Sequence, residues 1–356
     1  MFFIINTTKH QGRAYLGKNK KDMKKTIFER FFITPGIKCL SIAICLTAGL
    51  LTSCSDDDDN NGDDDDNPPH QEITLDTPKY ESVSAKYEIT SGGGGISSIE
   101  LTASGNYVVT MYGAAGVPSS LQQRNMMKSM LFAADATRAN DGYITGKFVK
   151  ISDTEFILEG FGSIVIDGAA DNAFSIQVTP SEGATYTMNA EKAATVSNSE
   201  MTKALCRTWN INTVTIKGTF NGRDFYNGET PASQYVQNWD GLNKAFNQMI
   251  ESITGEPENE PLYEPELTPA QIIFTRSGSY MVITDDNRLA VYEWEWKNEA
   301  AGTINYSNDI GSNIVSILFG GKELTMTEVN MDIDESEEGE RFQMKIQSSF
   351  KCTEMK

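Results

Sequence analysis

Between residues 81 and 351 the chain is broken into short runs rich in Val, Ile, Thr, Tyr and Phe, with Gly, Asn, Asp and Ser clustered between them. β-branched and aromatic side chains suit a pleated, half-buried surface, and turn residues at this spacing leave no room for the crossover helices of a parallel sheet. A chain so punctuated can close into barrels or stack into sandwiches. The fold class it predicts is mainly β, in two β-rich modules.

The first module, residues 79–195, reads as strands near 81–90, 96–103, 106–112, 143–150, 154–160, 162–167, 173–179 and 184–190. Gly92 to Gly95 falls between two of them without the following helix that a phosphate cradle needs, so it is a turn. The second module, residues 199–356, reads as strands 208–217, 271–275, 279–284, 288–297, 302–307, 313–319, 322–330 and 341–351. Ser199 to Leu205 predicts a short capped helix ahead of it. Tyr235, Trp239, Leu242, Phe246, Met249, Ile250 and Ile253 recur at helical spacing, which predicts an inserted amphipathic helix over 232–254, either core packing or a lid over a barrel mouth. Asp332 to Glu340 reads as a solvated hairpin loop before the last strand.

One signature occurs twice. Leu101-Thr102-Ala103-Ser104-Gly105-Asn106-Tyr107 matches Phe274-Thr275-Arg276-Ser277-Gly278-Ser279-Tyr280, a hairpin with Ser-Gly as the turn. Duplication and a common hairpin solution both explain it.

Ahead of the modules, Met23-Lys24-Lys25 begins a short basic region, followed by an apolar stretch and Leu51-Thr52-Ser53-Cys54. Residues 1–53 thus read as a signal peptide whose true start is Met23, and the apolar stretch is shorter than the roughly 20 residues a bilayer-spanning helix takes. Those residues hold nine of the 30 Lys and Arg and two of the 49 Asp and Glu, so the remainder carries 21 basic against 47 acidic residues, a net charge of −26. Such a polyanion repels phosphate backbones, which makes nucleic acid a poor partner. Residues 54–78 read as an acidic tether. Its Asp-rich run places Pro68 where a calcium loop would carry its bidentate Glu, which argues against calcium.

The Leu51-Thr52-Ser53-Cys54 motif resembles the lipobox of bacterial lipoproteins, and acid directly after the cysteine is similar to the surface-export signal of Bacteroidota-type outer-membrane lipoproteins. That resemblance implies acylation of Cys54, attachment to the outer membrane through the N-terminal lipid, and exposure at the cell surface. A short helix, the Trp-bearing strand Arg207-Thr208-Trp209 and a meander of eight strands resemble the lipocalin-like (calycin) barrel, over residues 199–356. In that family the first strand bears Gly-x-Trp; here Trp209 is kept and Arg207 stands at the glycine position. The resemblance implies an eight-stranded antiparallel barrel in the second module, while the first is either a second, diverged copy or a sandwich. In a closed meander the first and last strands pair, so Cys206 before the one and Cys352 after the other are expected to form a disulfide.

Chemistry is sparse. His70 is the only histidine after the leader and lies in the tether, so a histidine-based nucleophile or metal site is not expected, nor is a cofactor. Carboxylate pairs are plentiful, but none stands out as catalytic. The most suggestive strand is Ala290 to Trp296, whose alternation puts Tyr292, Trp294 and Trp296 on one face, with Tyr280 and Tyr306 on neighbouring strands. Turned inward, these five side chains are core or the wall of an apolar pocket; turned outward, they form a platform for sugar rings. The expectation is a non-enzymatic protein binding a small apolar or amphipathic ligand in the second barrel, with a glycan- or protein-binding surface as the alternative.

Overall fold

The structure, a computed structural model, describes residues 71–111, 142–168, 172–255, 257, 261–265, 267–308, 311–337 and 340–355. The expected leader, the Cys54 lipobox and the acidic run lie outside the described residues. The described part opens with a two-residue strand, β1 (Glu72–Ile73), and a 3-10 turn at Glu81–Val83 where the sequence reads as strand.

The first barrel follows as β2 (Ala85–Ser91), β3 (Ile96–Leu101), β4 (Asn106–Met111), β5 (Tyr143–Lys150), β6 (Glu155–Leu158), β7 (Gly162–Gly168), β8 (Ala173–Pro180) and β9 (Tyr186–Lys192). Each pairs antiparallel with the next, and β2 closes onto β9 with Tyr87 opposite Lys192. The open choice between sandwich and barrel is thereby resolved as a closed barrel. Its interior is filled by Ile99, Tyr107, Ile144, Phe156, Ile164 and Ile176, all fully buried by strand alternation.

The second barrel begins after α1 (Glu200–Leu205), whose N-cap Ser199 accepts from Thr202 N at 3.0 Å. Its strands are β10 (Thr208–Phe220), then, beyond an excursion, β12 (Pro269–Phe274), β13 (Ser279–Thr284), β14 (Leu289–Asn298), β15 (Thr303–Asn308), β16 (Gly311–Gly321), β17 (Glu323–Glu337) and β18 (Glu340–Glu354). β18 returns to β10, closing the eight-stranded antiparallel barrel that the lipocalin-like resemblance implies. The excursion holds β11 (Arg223–Pro231), a 3-10 turn and α2 (Tyr235–Thr254), the helix expected from spacing. β11 is absent from the sequence reading because its residues show no apolar alternation. Its turn was visible, however: Asn221 (φ 47°) and Gly222 (φ 74°) supply the two positive φ values of a tight hairpin.

Two further differences concern the last hairpin and the cysteines. The acidic segment expected as a loop is mostly strand, because β17 runs on to Glu337 and Arg341 pairs with Asp334 across the ladder at 2.5 Å. At its other end β18 runs on to Glu354, so that Cys352 lies within the strand and not after it. Cys352 stands opposite Ile211, five residues past Cys206, on the order of 16 Å along a strand, whereas a disulfide needs Cα atoms within about 7 Å. Both are therefore buried free thiols, and the expected disulfide is not formed.

The floor of the second barrel is built on Trp209, which is fully buried and donates its indole N–H to Leu205 O at 3.0 Å. Arg207 lies over that ring at 5.9 Å, is itself 3% exposed, and is held by Glu354 at 2.6 Å, Ala204 O at 2.7 Å and Asp76 O at 3.1 Å. The guanidinium thus closes the base of the barrel where the family places a glycine.

The barrels pack side by side. The duplicated hairpins occupy the same topological place, joining second strand to third in each barrel, and repeat the same hydrogen bonds. Thr102 Oγ1 accepts from Asn106 N and Thr275 Oγ1 from Ser279 N, both at 3.0 Å, while Gly105 O and Gly278 O accept from Phe148 N and Trp294 N on the following strands. The two turns then meet. Glu100, 3% exposed, accepts from Ser279 Oγ at 2.7 Å and from Ser277 Oγ, Asn106 Nδ2 donates to Thr208 Oγ1 at 3.0 Å, and Ser104 Oγ accepts from Thr208 N at 2.8 Å. Beside this polar seam, Val108 of the first barrel packs with Ile273, Met281 and Leu289 of the second.

Candidate functional site

The interior of the second barrel changes character along its axis. Its lower half, above Trp209, is apolar: Phe274, Trp294, Ile304, Val315, Ile317, Phe319, Leu324 and Met326 are all buried there. Higher up, the inward positions become polar. Glu328 follows Leu324 and Met326 at the same strand parity and stands opposite Val315 on β16 and Ser348 on β18. Tyr306 Oη donates to Glu328 Oε1 at 2.5 Å, and Asn313 Nδ2 donates to the same oxygen. Ser348 Oγ, fully buried, donates to Asn330 Oδ1 at 2.7 Å.

Three phenols complete this cup. Tyr280, Tyr292 and Tyr306 lie within 5.1 to 5.5 Å of one another, centroid to centroid, and Tyr280 stacks on Phe274 at 4.8 Å. Tyr280 is buried, whereas Tyr292, Tyr306, Asn313 and Glu328 remain half-buried, so solvent reaches the cup. Burial, and secondarily the Glu328 charge, push the hydroxyls of Tyr280, Tyr292 and Tyr306 above the ordinary phenol range.

α2 covers this end. β10 pairs with β12 only through Thr208–Asn210 and then turns to β11, leaving an opening that the helix fills. Asn238 pins it there: its Nδ2 donates to Val214 O at 3.0 Å and Gly228 O at 3.1 Å, and the Tyr226 hydroxyl lies 2.8 Å from its Oδ1. Gly228 permits that approach, since a Cβ there would sit 2.5 Å from Asn238 Oδ1. Trp239 and Leu242 enter the barrel core from this helix, and Tyr235 packs edge-on to Trp239. Asn243 straps the returning chain over it, accepting from Leu262 N at 3.0 Å and donating to Tyr263 O at 2.8 Å, which sets the Tyr263 ring on Trp239 at 4.8 Å. Trp239 is 2% exposed, and the Tyr235 hydroxyl, raised by burial, is drawn partly back down by hydrogen bonding with the Trp239 side chain.

The five aromatic side chains singled out in the sequence all turn inward, so they make no outer platform. Tyr280, Tyr292 and Tyr306 come together in the cup. Trp294 is core, donating to Thr275 O at 3.0 Å, and Trp296 reaches the other end, donating to Thr202 Oγ1 of α1 at 2.7 Å. Sequence reasoning missed Glu328 and Asn313 as partners of these phenols, and placed Tyr235 and Trp239 on a helix that is core or lid without tying them to this end of the barrel. The signal for Glu328 was present, a carboxylate on the same strand parity as Leu324 and Met326. Among the described residues no group of three or more His, Cys, Asp or Glu side chains is arranged to hold a metal ion. A cavity at the seam between the barrels, lined by Lys86, Cys206, Arg276 and Ser277, measures about 20 Å³, room for a water molecule and not for an organic ligand.

The fold and the site define a two-barrel β protein whose second barrel carries a helix-covered polar cup above an apolar floor. No protein-family model matches the chain, and no curated protein matches it. Among solved structures it is similar to the vaccine antigen transferrin binding protein B from Haemophilus parasuis Hp5, with 7% identity and a TM-score of 0.17 over 62% of this chain and 41% of that one. The chain thus spans about two fifths of the length of that solved protein.

Proposed function

We propose that this is a non-enzymatic binding protein, tethered to the outer membrane through Cys54 and facing outward, which holds a small amphipathic molecule in the second barrel beneath α2. The observation that carries this reading is the inward cup itself. A barrel interior that served only as core would bury its phenols and carry no carboxylate, because a buried charge is costly without a partner. Here Tyr292, Tyr306, Asn313 and Glu328 face inward yet stay half-buried, above apolar walls that would take a hydrocarbon body.

The test is intrinsic tryptophan fluorescence of the mature chain made without Cys54, titrated with lipids, bile-acid-like amphiphiles and oligosaccharides. All four tryptophans lie in the second barrel or α2, and Trp239 borders the cup. A saturable shift with amphiphiles that is lost in Trp239→Phe is the expected result. Silence across the panel from folded protein would sink the pocket.

A second reading, a surface for a protein partner, is favoured by one feature of the first barrel. Val149 and Ile157, cross-strand neighbours on β5 and β6, are 46% and 44% exposed, and Ile151 beside them is 52% exposed.

A further inference from the structure

The charge balance inside the cup narrows the ligand further, on the footing that the cup is a binding site. Glu328 receives two hydrogen bonds, both from neutral donors, and both on Oε1. No Lys, Arg or His reaches it among the described residues, whereas Asp224, Glu229, Asp286 and Asp334, on the outside, each pair with a Lys or Arg. Its field extends across the site, since it raises the hydroxyl pKa values of Tyr235, Tyr280, Tyr292 and Tyr306 after burial has done so. A half-buried carboxylate ringed by phenol faces disfavours an anionic guest and favours a cationic one, because the ring quadrupole and the carboxylate act in the same direction.

We propose that the second barrel selects an organic cation, a molecule with an ammonium group at Glu328 among the tyrosine faces and an apolar body against the barrel wall. The neutral phenols orient and screen the ammonium, and Glu328 supplies the discrimination between charge types. Tyr306 and Asn313 hold the carboxylate in place without neutralising it.

Calorimetric titration of the mature chain made without Cys54 tests this with three probes of one shape: benzyltrimethylammonium, benzyl alcohol and phenylacetate. The expected order is the ammonium at least tenfold tighter than the alcohol, with phenylacetate weakest. Glu328→Gln is expected to lower the ammonium affinity at least tenfold and to leave the alcohol within twofold. Equal affinity for the ammonium and the alcohol on unmodified protein would overturn the cation assignment while leaving the pocket standing. Failure of all three probes to bind would overturn the pocket and the assignment together. Because the comparison among probes is made on unmodified protein, it decides the matter even where Glu328→Gln does not fold.

Discussion

Gly105 and Gly278 sit at the same step of the same hairpin in the two barrels, with φ of +82° and +87°. Both conformations favour glycine, so an added Cβ costs on the order of 1 kcal/mol at either position from backbone strain alone. The surroundings differ. At Gly105 the new Cβ would lie 2.8 Å from the Tyr80 ring, whereas at Gly278 its nearest neighbour is Trp294 O at 3.3 Å. Tyr80 is itself packed on Phe148 at 4.8 Å and has little freedom to withdraw. Gly105→Ala is therefore expected to destabilise by roughly 1 kcal/mol or more beyond Gly278→Ala, in the range of overpacked sites. Urea unfolding of the two variants reads this directly, and equal losses would contradict it. At this scale strand parity made much legible: the inward turn of Tyr280, Tyr292, Trp294 and Tyr306 was one of two faces read from alternation. Parity also turns Glu328 inward, but it does not supply the register that brings Glu328 of β17 past β16 to Tyr306 of β15.

Among the elements, the strands of both modules and the helix were legible because turn residues and periodicity are local signals, while the closure of the first module, left open between barrel and sandwich, was not. β11 was not, since Arg223, Asp224, Asn227 and Glu229 give it a polar face on both sides and only its pairing with β10 makes it a strand. The cysteine pairing failed for a related reason: register depends on how far β18 runs, and polar residues at a strand end do not mark where pairing stops. The seam between barrels is equally non-local, joining Glu100 to Ser277 and Ser279 across more than 170 residues of chain. Hydrogen bonds to a buried charged group are worth about 1.5 to 3 kcal/mol each. Unfolding of the native chain is thus expected as one transition. The pair Glu100→Ala with Asn106→Ala should separate it into two, seen by tryptophan fluorescence for the second barrel and by far-ultraviolet dichroism for both. A single unshifted transition in the double variant would show that the Glu100 and Asn106 hydrogen bonds do not couple the barrels.

For the molecule as a whole, the duplicated hairpin occupies equivalent positions in two eight-stranded barrels, which favours duplication over coincidence. The interiors also set its response to alkali. Burial pushes the Cys352 thiol up to about 12 and raises the Cys206 thiol and the Tyr235, Tyr280 and Tyr306 hydroxyls as well. In the unfolded chain these groups lose protons near 8.5 for thiols and about 10 for phenols, while the folded chain keeps them. Their contribution is fully present below pH ~8.5 and is lost as pH rises through the folded values, by roughly 1.4 kcal/mol per pH unit for each group. Melting temperature should hold steady to pH 8 and fall steeply between pH 9 and 12, with the tyrosinate absorbance of the buried Tyr235, Tyr280 and Tyr306 appearing only on unfolding. A flat melting temperature over that interval would count against it.

The chain reaches the first barrel only after fastening to the second. β1 lies parallel to β16 at Gly320 and Gly321, Thr74 N donates to Gly321 O at 3.1 Å, and Asp76 O accepts from Arg207. Mechanical load arriving from the N-terminus therefore enters at the sealed base of the second barrel. Pulled from that end, this short clip is loaded before Tyr80 and the first barrel, which follow it along the chain. The cup and its covering helix lie toward the opposite end of the second barrel from this clip.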